Sequence, residues 1–231
     1  MQISHLFVRG FTFVAIALTL SACDQKATSQ QAETQQAVAA KNEIVALSGK
    51  TMGTTYHIKY SANNEVSITS KQVHEQIESI LKAVNAKMST YIQDSEISRF
   101  NQNTQTNTPI EISADFALVV KEAMRLNQVT QGALDVTVGP VVNLWGFGPE
   151  KRVEKQPTQA QINERQASVG IDKLSLTEEH GKFFLAKSVP QLYVDLSSIA
   201  KGFGVDQVAD YLESIRVQNY MVEIGGEIRA K

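Results

Sequence analysis

Tyr193-Val194-Asp195-Leu196-Ser197-Ser198-Ile199-Ala200-Lys201-Gly202-Phe203-Gly204 passes from an alternating apolar stretch into a helical one. It reads as a strand at 192–195 that delivers an acid, two serines and a lysine to the start of a helix at 200–214. Downstream, strands at 219–224 and 227–230 flank Gly225-Gly226; upstream, strands are expected at 173–177 and 182–187. Ile44 to Leu47 and Thr54 to Tyr60 alternate as two more strands, joined around Gly49 and Gly53. Thr69 and Gln72 form a capping-box signature ahead of an amphipathic helix at 70–87, with Val73, Ile77, Ile80, Leu81 and Val84 at helical spacing. Ser113 caps a second long helix ending near Gly132, and a shorter one starts after Thr158, with Gln161 three residues on. Helices and strands intersperse without strict alternation, so the fold class is α+β with a mixed or antiparallel sheet, in one domain over 44–231. Because the sequence stops after the last expected hairpin strand, that domain is expected to be incomplete at its C-terminal end.

Composition excludes several classes. The 231 residues are 42% hydrophobic and 20% charged, with a formal net charge of −2, which is a globular profile with no basic surface for nucleic acid. One cysteine rules out a disulfide framework or a cysteine-rich metal site, and His5, His57, His74 and His180 have no metal-ligand spacing.

Residues 1–22 read as an export signal: a weakly basic start, then the uncharged stretch Phe11 to Leu20. A bilayer span needs about 20 apolar residues, and this stretch is shorter. It runs into Leu20-Ser21-Ala22-Cys23, which resembles a bacterial lipobox; the alternative is an ordinary secretory signal with an incidental cysteine. Lipid on Cys23 would anchor the chain, since each buried methylene contributes about 0.8 kcal/mol. Asp24 resembles the inner-membrane retention signal of Gram-negative bacteria, which implies the periplasmic face of the inner membrane. Residues 23–43 read as a flexible tether, because their Gln/Ala/Thr/Ser-rich composition buries too little apolar surface to fold.

Four stretches carry residues that plain scaffolding does not require. Gly49 to Thr55 contains Met52 between glycines, a soft contact beside backbone that a ligand can approach; taken alone, the stretch is better explained by a hairpin turn with Met52 in the core. Met88-Ser89-Thr90-Tyr91 ends a helix with a ring able to stack on another ring, while Asp94 or Ser95 can cap a following short helix. Gly132-Ala133-Leu134-Asp135-Val136-Thr137-Val138-Gly139-Pro140, running on to Trp145, sets an acid among apolar residues. Asp135 suits a ribose hydroxyl or an adenine amino group, or simply a turn. In the opening stretch, the helix N-terminus and Lys201 suit a phosphate or pyrophosphate, with Asp195 or Ser197 as a helix cap the structural alternative. Neither a P-loop nor a dinucleotide fingerprint is present.

Together, the four stretches resemble the ApbE family of FAD:protein FMN transferases over residues 49–231. The strings Asp195 to Gly202 and Gly132 to Pro140 carry most of that resemblance. It implies an α+β fold with FAD in a cleft. It also implies that Met52, Tyr91, Ala133, Leu134, Asp135, Asp195 and Lys201 hold FAD, and that the Ser198 carbonyl reaches Mg²⁺. No catalytic residue is assigned. The implied reaction moves FMN from FAD to a Thr or Ser hydroxyl of an acceptor protein and releases AMP. The implied acceptors are flavin-carrying subunits of inner-membrane redox complexes, of the Na⁺-pumping NADH:quinone reductase or Rnf type. The remaining magnesium ligands are expected downstream of Lys231, which would leave the 231-residue chain nearly inactive. Two other activities are compatible: a Mg²⁺-dependent FAD pyrophosphatase giving FMN and AMP, and a periplasmic lipoprotein that binds FAD without chemistry.

Overall fold

The computed structural model describes residues 43–62, 66–149 and 155–231. The expected signal peptide, Cys23 and nearly all of the tether lie outside the described residues. β1 (Glu43–Thr51) and β2 (Thr54–Ala62) form a hairpin whose first residue, Glu43, was expected to end the tether. The two-residue loop Met52-Gly53 has φ of 50° and 72°, the left-handed pair that matches the twist of the flanking strands. Gly49 is therefore not a joint but a ladder residue facing Tyr56. A β-carbon there would lie 2.5 Å from the Tyr56 hydroxyl oxygen, so glycine lets the ring lie across the strand.

α1 (Ser70–Met88) starts at the expected capping box: Gln72 N donates to Thr69 Oγ1 (3.3 Å) and Thr69 N to Gln72 Oε1 (2.9 Å). Its Val73, Ile77 and Leu81 pack with Val205, Val208 and Leu212 of α6 (Ala200–Ser214) against Tyr56, Ile58 and Tyr60 of β2. Each such side chain removed from water contributes about 1.5–3 kcal/mol. β6 (Tyr220–Ile224) and β7 (Glu227–Ala230) complete an antiparallel sheet of order β1-β2-β6-β7.

A second core gathers Phe100 of α2 (Glu96–Gln102), Phe116 and Val120 of α3 (Ala114–Val129), and Leu185. Here β3 (Ile110–Ile112), β4 (Leu174–Glu179) and β5 (Lys182–Lys187) form a separate antiparallel sheet of order β3-β5-β4. Two antiparallel sheets thus stand where one was expected. Two short helices, α4 (Gly139–Leu144) and α5 (Gln159–Gln166), pack on each other, the latter opened by the Thr158–Gln161 capping box. Met52 packs against both cores. No helix among the described residues is long and apolar enough to cross a membrane.

The strand expected at 192–195 is absent. Leu192, Val194 and Leu196 are fully buried and alternate like a strand, yet the segment makes only one parallel bridge, Tyr193 to Val138. Alternation records that one side of an extended chain is buried; it does not supply a neighbouring strand. The backbone is held instead by Asn101, whose Nδ2 donates to Val194 O and whose Oδ1 accepts from Val194 N, both at 2.8 Å.

Candidate active site

A cavity of about 550 Å³ opens where the β1–β2 turn, the end of α1 and the start of α6 converge. Met52, Tyr91 and Lys201 line it with Ser197, so residues far apart in sequence meet in one place. Met52 reaches it because the turn holds it left-handed at the junction of the two cores. Tyr91 follows α1; the residue is 67% exposed and its hydroxyl donates to Phe147 O at 2.9 Å.

Lys201 stands in the first turn of α6, whose N-cap is Ile199 and which no side chain caps. No side chain competes for the positive end of the helix beside the cavity, although Ala200 N already donates to Leu196 O at 2.8 Å. The structural alternative, Asp195 or Ser197 as a cap for this helix, is excluded by that geometry. The Lys201 ammonium donates to Glu227 Oε2 at 2.8 Å and to Gly225 O at 3.4 Å. An anion entering the cavity therefore meets a lysine already oriented by the β6–β7 turn.

Asp195 and Asp135 occupy matching turns. Asp195 Oδ1 accepts from Ser197 N (2.8 Å) and from Ser197 Oγ. Asp135 Oδ1 accepts from Thr137 N (2.8 Å) and Thr137 Oγ1 (2.6 Å), and its Oδ2 accepts from Ile171 N at 3.2 Å. The two turns are joined by Asp195 N donating to Val136 O at 2.8 Å. Both acids thus anchor loops, which for Asp135 is the turn read from the sequence as its structural alternative and for Asp195 is not the helix cap read there. Ala133, Leu134, Asp135 and Asp195 lie outside the cavity lining; Ala133 is exposed, Leu134 packs on the second core, and Asp195 stands behind the lining residue Ser197. Ser198 is exposed and also outside the lining.

One lining residue and the ion-pair partner of another went unread in the sequence. Asn85 Nδ2 donates to Thr51 Oγ1 at 3.0 Å and to Leu81 O at 2.8 Å, which ties α1 to the hairpin at the cavity. Its signal was a carboxamide between Val84 and Met88 near the apolar stripe of α1. Glu227, the partner of Lys201, gave no local signal, because only the return of the hairpin brings it there. A neighbouring cavity of about 350 Å³, lined by Gln93, Asn101 and Tyr193 among others, shares Thr90 and Tyr91 with the first.

Among the described residues, no three His, Cys, Asp or Glu side chains gather as a metal-binding group. Mg²⁺ commonly takes only one or two carboxylates and completes its six oxygens with water and substrate phosphates. Asp195, with Oδ1 held by Ser197 and Oδ2 on the same carboxylate, together with the exposed Ser197–Ser198 stretch, offers oxygen donors of that kind.

The ApbE family model matches residues 52–231. An FAD:protein FMN transferase of Haemophilus influenzae is 65% identical over 224 residues, covering 97% of this chain and 60% of that protein. Among solved structures, the flavin transferase ApbE from Vibrio cholerae superposes with a TM-score of 0.77 at 56% identity, covering 82% of this chain and 60% of that one. The apo form of the Pseudomonas stutzeri flavinyl transferase ApbE superposes with a TM-score of 0.75 at 35% identity, covering 82% of this chain and 61% of that one. The chain spans about 60% of the length of the curated relative from Haemophilus influenzae.

Proposed function

The chain belongs to the ApbE family, and on that footing we propose that its protein transfers the FMN moiety of FAD to a Thr or Ser hydroxyl of an acceptor protein. The observation that carries this reading is the cavity in which Met52, Tyr91, Ser197 and Lys201 meet at the uncapped N-terminus of α6. Tyr91 offers its ring to the isoalloxazine, Met52 an apolar contact, and Lys201 with the first-turn amides a cradle for the pyrophosphate. The hydroxyl oxygen of the acceptor forms a bond to the FMN phosphorus, the phosphoanhydride bond to AMP breaks, the hydroxyl proton is lost, and AMP leaves. No covalent intermediate on this protein is needed, so positioning and charge stabilisation carry the rate.

Mg²⁺ would be held by Asp195 and the Ser198 carbonyl, and when bound it supplies charge neutralisation at the pyrophosphate. Asp195 keeps Ser197 turned toward the cavity, and Glu227 keeps Lys201 extended beside it. Asp135, Ala133 and Leu134 would contact FAD from the adjoining loop that Val136 O ties to Asp195. The same reading puts lipid on Cys23, the protein on the periplasmic side of the inner membrane, and its acceptors among subunits of Na⁺-pumping NADH:quinone reductase or Rnf type.

The test is incubation of the full-length protein with FAD, Mg²⁺ and such an acceptor subunit, followed by in-gel flavin fluorescence of the denatured acceptor. Fluorescence retained on the acceptor is the expected result. Free FMN and AMP without labelled acceptor would replace transfer by hydrolysis, and unchanged FAD would leave a binding protein.

A further inference from the structure

α2 is a seven-residue helix whose polar side chains all reach away from it. At its N-terminal end, Ser95 Oγ donates to Ser89 O at 2.7 Å and Ser98 Oγ to the same carbonyl at 3.4 Å. Arg99 adds a bond to Asp94 O, and Gln102, the last residue of the helix, reaches back to Gln93 O at 3.0 Å. These bonds fix the Ser89–Asp94 loop, which carries Ser89, Thr90 and Tyr91 into the cavity wall. At its other end, the Asn101 carboxamide grips both backbone groups of Val194 at 2.8 Å, one residue before Asp195. The helix therefore bonds both to the loop of one wall and to the segment that leads to Ser197 on the other.

Lys187 completes the joint. It is 2% exposed, and its ammonium donates to Asn101 O and to Leu192 O, each at 3.1 Å, while lying 5.3 Å over the Phe100 ring. No carboxylate among the described residues pairs with it. A lysine buried without an acid is costly, and an apolar side chain would fill the same space more cheaply. Its position answers a specific need: Leu192 lies in extended backbone without a ladder, and Asn101 O is one of the orphan carbonyls at a helix C-terminus. A cation with three donors serves both.

We propose that Lys187 and Asn101 are positioning residues that lock α2 as a strut between the Tyr91 wall and the Ser197 wall, which it reaches through Asp195, and so set the width of the cavity. Lys187 holds Asn101 by its carbonyl, Asn101 holds Val194 by its side chain, and Asp195 and Ser197 follow directly. The consequence for flavin affinity rests on the proposed FAD reading; the strut itself does not. A ligand that touches both walls binds well only when their spacing is held in advance, which is preorganisation.

The test uses the full-length protein, its Lys187→Met variant, which keeps volume and loses the donors, and Asn101→Ala. Amide hydrogen exchange without ligand is read at Leu192–Ser197 and at Ser89–Ile92. The strut predicts faster exchange at both walls in both variants, although neither residue belongs to the Ser89–Ile92 wall. FAD titration should then show affinity about tenfold or more weaker in each variant, as expected for losing a charge-assisted or paired hydrogen bond. The double variant should be little worse than the worse single, since both act through one element. Faster exchange confined to Leu192–Ser197, or at neither wall, would overturn the strut. Altered exchange at both walls with unchanged FAD affinity would overturn its control of the site. Should the wild type bind no FAD, the flavin reading fails, while the exchange result still decides the strut.

Discussion

Lys201 and Lys187 show how differently one residue type is used in this fold. Lys201 stands beside the cavity, steered by Glu227 at 2.8 Å and available to an anion. Replacing it with Ala should weaken FAD binding by about 1.5–3 kcal/mol if the contact is a charge-assisted hydrogen bond. An FAD titration unchanged from wild type would contradict that role. Lys187 is buried, and desolvation pushes its ammonium down from 10.5 to about 8. In the unfolded chain a lysine stays protonated to about pH 10.4, so between those values the folded state holds fewer protons and stability rises with pH. Below pH 8 the cost of the buried charge is fully present. The urea midpoint of the wild type, measured relative to Lys187→Met, should therefore climb between about pH 7 and pH 10. A constant difference would show that Lys187 is not depressed. The sequence exposed Lys201 because it stands among an acid and serines at a helix start. Lys187, followed by Ser188 at a strand end, looks like any solvated lysine, since only the tertiary approach of Asn101 and Leu192 buries it.

At the scale of elements, α6 bears on the cavity through a residue that has no side chain. A β-carbon on Gly204 would lie 2.8 Å from Met52 Cε, the free end of a flexible side chain that lines the cavity. Gly204→Ala should gain up to about 1 kcal/mol of helix propensity while pushing Met52 into the ligand space. The expected outcome is an undiminished thermal midpoint with several-fold weaker FAD binding. A falling midpoint with unchanged affinity would contradict it. Elements set by local chemistry were legible: the capping boxes at Thr69 and Thr158 and the Ser113 cap all form where their hydroxyls predict them. Elements set by distant partners were not. The three-residue β3 and the six-residue α4 carry too little pattern to stand out. The split into two sheets rests on pairings such as Ile110 with Leu185, which no local window contains. The 192–195 segment misled because side chains, rather than a second strand, satisfy its backbone.

Across the whole molecule, the two cores meet at Met52, and the cavity opens beside that junction. The four sequence stretches were legible as a set, but their geometry was not: three supply the cavity lining, while Asp135 and its neighbours stand one loop away, joined through Val136 O. A lipid on Cys23 would hold enzyme and acceptor at one surface and raise their effective concentration. Mass spectrometry of the mature N-terminus should find a modified cysteine at the first position, and an unmodified thiol at Cys23 on a released protein would contradict the anchor. The central claim is group transfer, and it is tested most directly by the intact mass and peptide map of an acceptor subunit after incubation with the full-length protein, FAD and Mg²⁺. The account predicts an acceptor heavier by one esterified FMN on a single Thr or Ser, with one AMP released per acceptor modified. An acceptor of unchanged mass, recovered while FAD is consumed to FMN and AMP, would contradict it.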